Sequence, residues 1–227
     1  MKDATNTAEK EEWVDHIIDT PGFTLGPRAS YAYLNDPRRL AFMLARYKFC
    51  AKMLIGKKHI LEVGCGDSFG SPVVAQECET MTGIDIEERL IEENKVRLKD
   101  IDKLRYQTCD ITQSAPDGMF DGAISLDVLE HIPFELEGHY FENVTSVLDD
   151  NAIFIVGMPN ITSDIYASKP GHSPHINLKD EKGIRESMGQ YFSNVLVFSM
   201  NDEVVHTGFT PMAHYLFAVG IGKRPQG

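Results

Sequence analysis

Three glycines, Gly64, Gly66 and Gly70, follow directly on a short apolar run of Ile60, Leu61 and Val63. Backbone without Cβ can turn at positive φ and come close to a ligand, so this stretch is suited to wrapping around a bound molecule. Glu62 lies inside the apolar run, where a carboxylate costs energy unless something pairs with it; that directs it to a ligand crevice at the carboxyl end of a strand. A second acid, Asp85, follows Gly64 by 21 positions. In a βαβ unit that separation lets the acid accept hydrogen bonds from ribose hydroxyls. Asp110 and Asp127 close two further candidate strands, and His131 follows Asp127 in a polar loop. Histidine titrates where a proton must be moved near neutral pH, so His131 is the candidate general base.

The spacing suits both NAD and S-adenosylmethionine, because each carries an adenosine ribose. The loop reads G-x-G-x-x-x-G, however, one residue longer than the usual dinucleotide fingerprint. Downstream, residues 106–111 end in Asp110, and residues 120–133 run from Phe120 through Asp127, Glu130 and His131 to Pro133. Together with the first loop these stretches resemble the class I S-adenosylmethionine-dependent methyltransferases of small-molecule type, over about residues 57–222. The resemblance implies an α/β, doubly wound, mainly parallel seven-stranded sheet with one antiparallel strand near the edge, and an N-terminal helical cap. It also implies S-adenosyl-L-methionine as cofactor and S-adenosyl-L-homocysteine as product. Glu62, Gly64, Cys65 and Gly66 would lie beside the methionine part, Asp85 with Ile86 on the ribose, Asp110 with Ile111 at the adenine edge, and Asp127 near the sulfonium or amino group.

Methyl transfer from a sulfonium is an in-line displacement at carbon, so such a protein mainly aligns donor and acceptor and excludes water. Tyr31, Arg46, His172, His175 and His206 are candidate acceptor contacts; Arg46 could equally reach the methionine carboxylate, since guanidinium matches carboxylate geometry. His172 and His175 form an H-x-x-H pair in a long Pro-rich stretch, and two ligands are too few to assign zinc. Glu130 and His131 are adjacent, which alone is poor support for a metal, and none is assigned. The expected activity is methylation of a small molecule, with oxygen on a sugar or other metabolite as acceptor. A non-catalytic cofactor-binding scaffold and, further off, an NAD-dependent oxidoreductase are the alternatives.

The chain that must position these groups has 227 residues, enough for one sizeable α/β domain and an appendage. Its net charge of −12 repels phosphate backbones and acidic membranes, so small molecules are favoured over nucleic acid or membrane as partners. The four cysteines show neither C-x-x-C pairing nor metal spacing, and the opening residues are not a signal peptide; both point to reduced thiols in the cytoplasm. Residues 1–11 read as a frayed lead-in, residues 13–18 as a short helix, and residues 23–35 as a loop or lid, so that an extension over 1–36 precedes a cofactor-binding domain over 37–227. Asp36 and Pro37 signal a helix start. Strands are expected near 60–63, 81–85, 106–110, 120–126, 152–157, 194–199 and 214–220, separated by helices near 72–79, 87–99, 134–149 and 179–192.

Overall fold

The computed structural model describes residues 2–166 and 175–225. Apolar runs too short for helices become strands, buried along most of their length at the centre of the sheet and more exposed toward its edges. They are β1 (His59–Val63), β2 (Thr80–Asp85), β3 (Leu104–Thr108), β4 (Phe120–Leu126) and β5 (Leu148–Pro159), followed by β6 (Phe192–Asn201), β7 (Val204–His206) and β8 (Tyr215–Lys223). The sheet order is β3-β2-β1-β4-β5-β8-β6-β7. β1 to β5 pair in parallel, and β8 enters antiparallel between β5 and β6. Order therefore reverses between β1 and β4, which opens a crevice at their carboxyl ends. The doubly wound α/β expectation holds, with one addition: the polar connection near 201–206 folds back as β7, an eighth strand on the outer edge.

Helices cover both faces. α1 (Lys2–Asp19) is followed by α2 (Pro27–Asn35), α3 (Arg38–Met53), α4 (Ser71–Ala75), α5 (Glu88–Arg97), α6 (Glu137–Ser146) and α7 (Glu181–Gly189). One core packs Val63, Leu129, Tyr140, Phe141 and Phe154 against α6 and α7, while the other packs Leu54, Ile60, Met81 and Phe217 beneath α3 and α4.

The first 36 residues are more helical than expected. The lead-in is α1, consistent with the helix-favouring Ala, Glu and Lys it contains. Its apolar residues Trp13 and Ile18 are exposed rather than packed. The expected loop over 23–35 contains α2, whose Pro27 suits a first turn. Asp36 does not cap α3; Pro37 takes that place, and the Asp36 carboxylate accepts from Arg38 Nε at 2.9 Å. The helix expected over 72–79 stops at Ala75, because the chain must already turn toward β2. α6 begins later than expected, after 3-10 turns around Leu129–His131 and Phe134–Leu136 that fill the segment beyond β4.

Candidate active site

The crevice at the reversal point holds a cleft of about 470 Å³. Gly64, Asp85, Ile86, Asp110, Ile111, Asp127 and His131 all line it, from loops after four different strands. A smaller concavity adjoins it beside Arg46, Cys65 and Gly66, sharing Arg28, Gly64 and Asp127 with the cleft. Thus residues as far apart in sequence as Arg28 and His131 meet across two adjoining concavities, with Arg46 on the side away from Asp110.

The glycine loop is held in shape by its neighbours. Gly64 has φ +72°, and a Cβ there would stand 2.3 Å from Val128 Cγ2, so a side chain is excluded on both grounds. Its N–H donates to Ile84 O at 2.8 Å. Asp85, nearly buried, accepts Gly66 N–H through Oδ2 and Glu87 N–H through Oδ1, both at 2.9 Å. A carboxylate has about four lone-pair sites, so two remain for a ligand. From below, Asn94 Nδ2 on α5 donates to Gly66 O at 2.8 Å, and Arg97 donates to Asp67 O. From above, Asp67 Oδ2 accepts the buried N–H of Ala29 at 2.8 Å, tying α2 to the loop and setting Arg28 on the cleft wall.

Glu62 is not in the crevice where the sequence put it. It is buried under the loop, accepting from Ser71 Oγ at 2.5 Å and Tyr47 Oη at 2.7 Å. Those two donors satisfy the carboxylate internally and make it a brace for the loop. Burial pushes its carboxyl up to about 7, with the two hydroxyl bonds pulling the other way.

Asp127 adopts φ +57°, a conformation that side chains rarely hold and that recurs at ligand clamps. Its Oδ2 accepts from Arg46 Nη1 at 2.5 Å, and the Arg46 guanidinium lies over the Tyr215 ring at 3.8 Å from the centroid. Arg46 is therefore at the site, engaged with Asp127. Asp110 also lines the cleft, with its carboxylate bonded in its own turn to the Thr112 N–H and hydroxyl and to Gln113. Next to Asp127, Glu130 is fully buried with both carboxylate oxygens free of hydrogen-bond partners. Burial holds its carboxyl above the usual range, and the charge of Asp127 adds to the shift.

Two expected acceptor contacts fall away. Tyr31 is exposed on α2 and lines neither concavity. His206 belongs to β7 at the far edge of the sheet, where its Nδ1 accepts Gly208 N–H at 3.0 Å and finishes the hairpin. His172 lies outside the described residues. His175 does come in: its ring centroid is 5.1 Å from that of His131. Tyr47, Asp67, Asn94 and Val128 were missed because each acts through a partner distant in sequence, and Arg28 because the fold alone carries it to the cleft wall.

Parallel strands reversing at a glycine loop, with acids at the tips of three strands, form the crevice of a Rossmann-like methyltransferase fold. The comparisons agree. Residues 61–156 match the family described as "Methyltransferase domain". Nodulation protein S of Bradyrhizobium diazoefficiens is 29% identical over 134 residues, 55% of this chain and 63% of that protein. The ubiquinone biosynthesis O-methyltransferase of Coxiella burnetii is 33% identical over 92 residues, 39% of each chain. The chain thus spans less than two thirds of the length of either relative. The N-methyltransferase NodS from Bradyrhizobium japonicum, solved with S-adenosyl-l-homocysteine, superposes with a TM-score of 0.58 at 17% identity, covering 85% of this chain and 91% of that one. Over residues 61–156 the chain thus resembles the S-adenosylmethionine-dependent methyltransferases, and its fold is the Rossmann-like one of those proteins.

Proposed function

We propose that this protein transfers the methyl group of S-adenosylmethionine to a small-molecule acceptor, with oxygen on a sugar or other metabolite as the acceptor atom. The observation that carries this reading is the joined cleft itself: it brings Asp85, Asp110 and Asp127 from separate strands around one glycine loop and continues past Asp127 to the arginines and His131. In it Asp85 and Ile86 bind the ribose, Asp110 and Ile111 border the adenine, and Gly64, Cys65 and Gly66 line the methionine arm. Negative charge at Asp127 favours the cationic sulfonium, and Arg28, the cleft cation not engaged with Asp127, suits the methionine carboxylate.

The residues 1–36 serve as a lid, an arrangement supported by the Ala29 to Asp67 bond, which fastens α2 to the loop that the cofactor would touch. Once the donor is seated, the protein's contribution is alignment and exclusion of water. His131 stands on the cleft wall past Asp127 and is the group that receives or steers the acceptor's proton. A nitrogen acceptor is the second reading, supported by the similarity to the N-methyltransferase NodS.

Calorimetry with S-adenosylhomocysteine and with NAD tests the cofactor side: saturable binding of the first and none of the second is expected, and the reverse overturns the reading. Incubation with methyl-labelled donor and a metabolite extract tests the reaction. A labelled small molecule is expected, whereas cofactor binding with no labelled product in any extract identifies a non-catalytic scaffold. No helix among the described residues is long and apolar enough to cross a membrane.

A further inference from the structure

We infer that Glu130, His131 and His175 form a binding site for a divalent transition-metal ion at the acceptor side of the cleft. The adjacent Glu130 and His131, too few for a metal site by themselves, are joined here by the sequence-distant His175. One ligand atom from each of the three residues lies within 4.8 Å of the other two. Ligands sharing an ion at bond lengths near 2.0–2.2 Å sit roughly 3–3.5 Å apart, so the set is poised and needs only a modest closing movement. Both imidazoles are exposed and able to make it.

The floor of the site points independently to a cation. Glu130 has no exposed surface, and neither of its carboxylate oxygens meets a hydrogen-bond donor. A buried carboxylate without a partner is costly, and a cation placed above it removes the cost. The nearby Arg46 gives Glu130 no hydrogen bond; its guanidinium pairs with Asp127 and lies over the Tyr215 ring.

His175 is brought there by a built support. Glu130 O accepts the N–H groups of Ile176 at 2.8 Å and Asn177 at 3.1 Å, which lays this segment across the turn after β4. Asn177 Nδ2 and Lys179 Nζ then donate to Glu137 Oε2 at 2.7 and 2.8 Å, and Lys179 also donates to Asn177 Oδ1 at 3.1 Å. This largely buried cluster fixes the path of the chain two residues beyond the proposed ligand. Two imidazoles and one carboxylate form a nitrogen-rich set suited to zinc, cobalt, nickel or iron rather than magnesium or calcium. The remaining coordination positions face the cleft that His131 lines, where an oxygen of the acceptor could bind. That last role rests on the methyl-transfer reading; the ion site itself does not.

The test titrates the metal-stripped full chain with Co2+, reading the visible d–d bands for nitrogen and oxygen coordination, and repeats it with Zn2+ as competitor. One equivalent of Co2+ is expected, displaced by Zn2+. His175→Ala, at an exposed position that does not endanger folding, should weaken binding by about tenfold to a hundredfold or more, since even indirect partners of metal ligands have effects of that size. Glu130→Gln should do the same, while His59→Ala, remote from the cleft, should bind as the parent does. Absence of the bands, or equal binding by His175→Ala, overturns the site. S-adenosylhomocysteine affinity is measured on the same samples. Cofactor bound without metal refutes the ion site and leaves methyl transfer standing; metal bound without cofactor does the opposite.

Discussion

Asp85 braces the glycine loop and, in the proposed function, holds the ribose; replacing it separates the two. In Asp85→Ala the buried N–H of Gly66 loses its acceptor at 2.9 Å, a stranding that costs about 1–3 kcal/mol of folding stability. Glu87 loses one as well, but its position is only partly buried, and water replaces the bond at little cost. Binding suffers separately, because ribose hydroxyls lose a charged acceptor worth about 1–3 kcal/mol, or roughly fivefold to a hundredfold in Kd. Chemical denaturation measures the first loss and calorimetry with S-adenosylhomocysteine the second. Asp85→Asn keeps one carbonyl oxygen for Gly66 and should fall between the parent and the alanine variant in stability. A folded Asp85→Ala protein with the parent's Kd would refute the ribose role and leave Asp85 as a brace of the glycine loop alone.

Gly64→Ala combines a left-handed backbone cost of about 1–2 kcal/mol with a collision against Val128. Adding Val128→Ala should relieve the collision but not the backbone cost, so a double-mutant cycle in denaturant should show coupling; strict additivity would contradict the close approach. Glu62 titrates in the fold near 7, above its ordinary 4.5, so the native state holds the proton more tightly. Its contribution is full below about pH 4.5 and is lost as pH rises toward 7, a change of about 3 kcal/mol. Glu62→Gln should flatten that stretch of the stability profile, and parallel profiles for parent and variant would exclude Glu62 as its source. His131→Ala should slow methyl transfer while sparing affinity for S-adenosylhomocysteine; unchanged turnover would return His131 to a structural role.

The parallel part of the fold was legible because buried strands are written as apolar runs, and the glycine loop because few alternatives satisfy its backbone. The position of Asp85 followed from spacing along one βαβ unit. Glu62 was misplaced since nothing in the linear order reveals that Tyr47 and Ser71 converge beneath it. Likewise His206 and His175 look equivalent as loop histidines, yet strand pairing carries one to the outer edge and the Glu137 cluster carries the other to His131. The extension misled for a different reason. α1 arises from local propensity with its apolar residues exposed, and α2 is held by a contact to Asp67 that the linear order does not show.

The placement of β8 between β5 and β6 bears on how the molecule is made. During synthesis β5 leaves the ribosome with one side able to pair with β4 and the other open, and β6 follows with only the short β7 to join. Only when Tyr215–Lys223 emerges can both edges close, so the half of the sheet that includes the Tyr215 stacking partner of Arg46 is the last to assemble. A nascent chain stalled before that strand would expose β5 as a sticky edge, and the cleft would be without its arginine anchor until release.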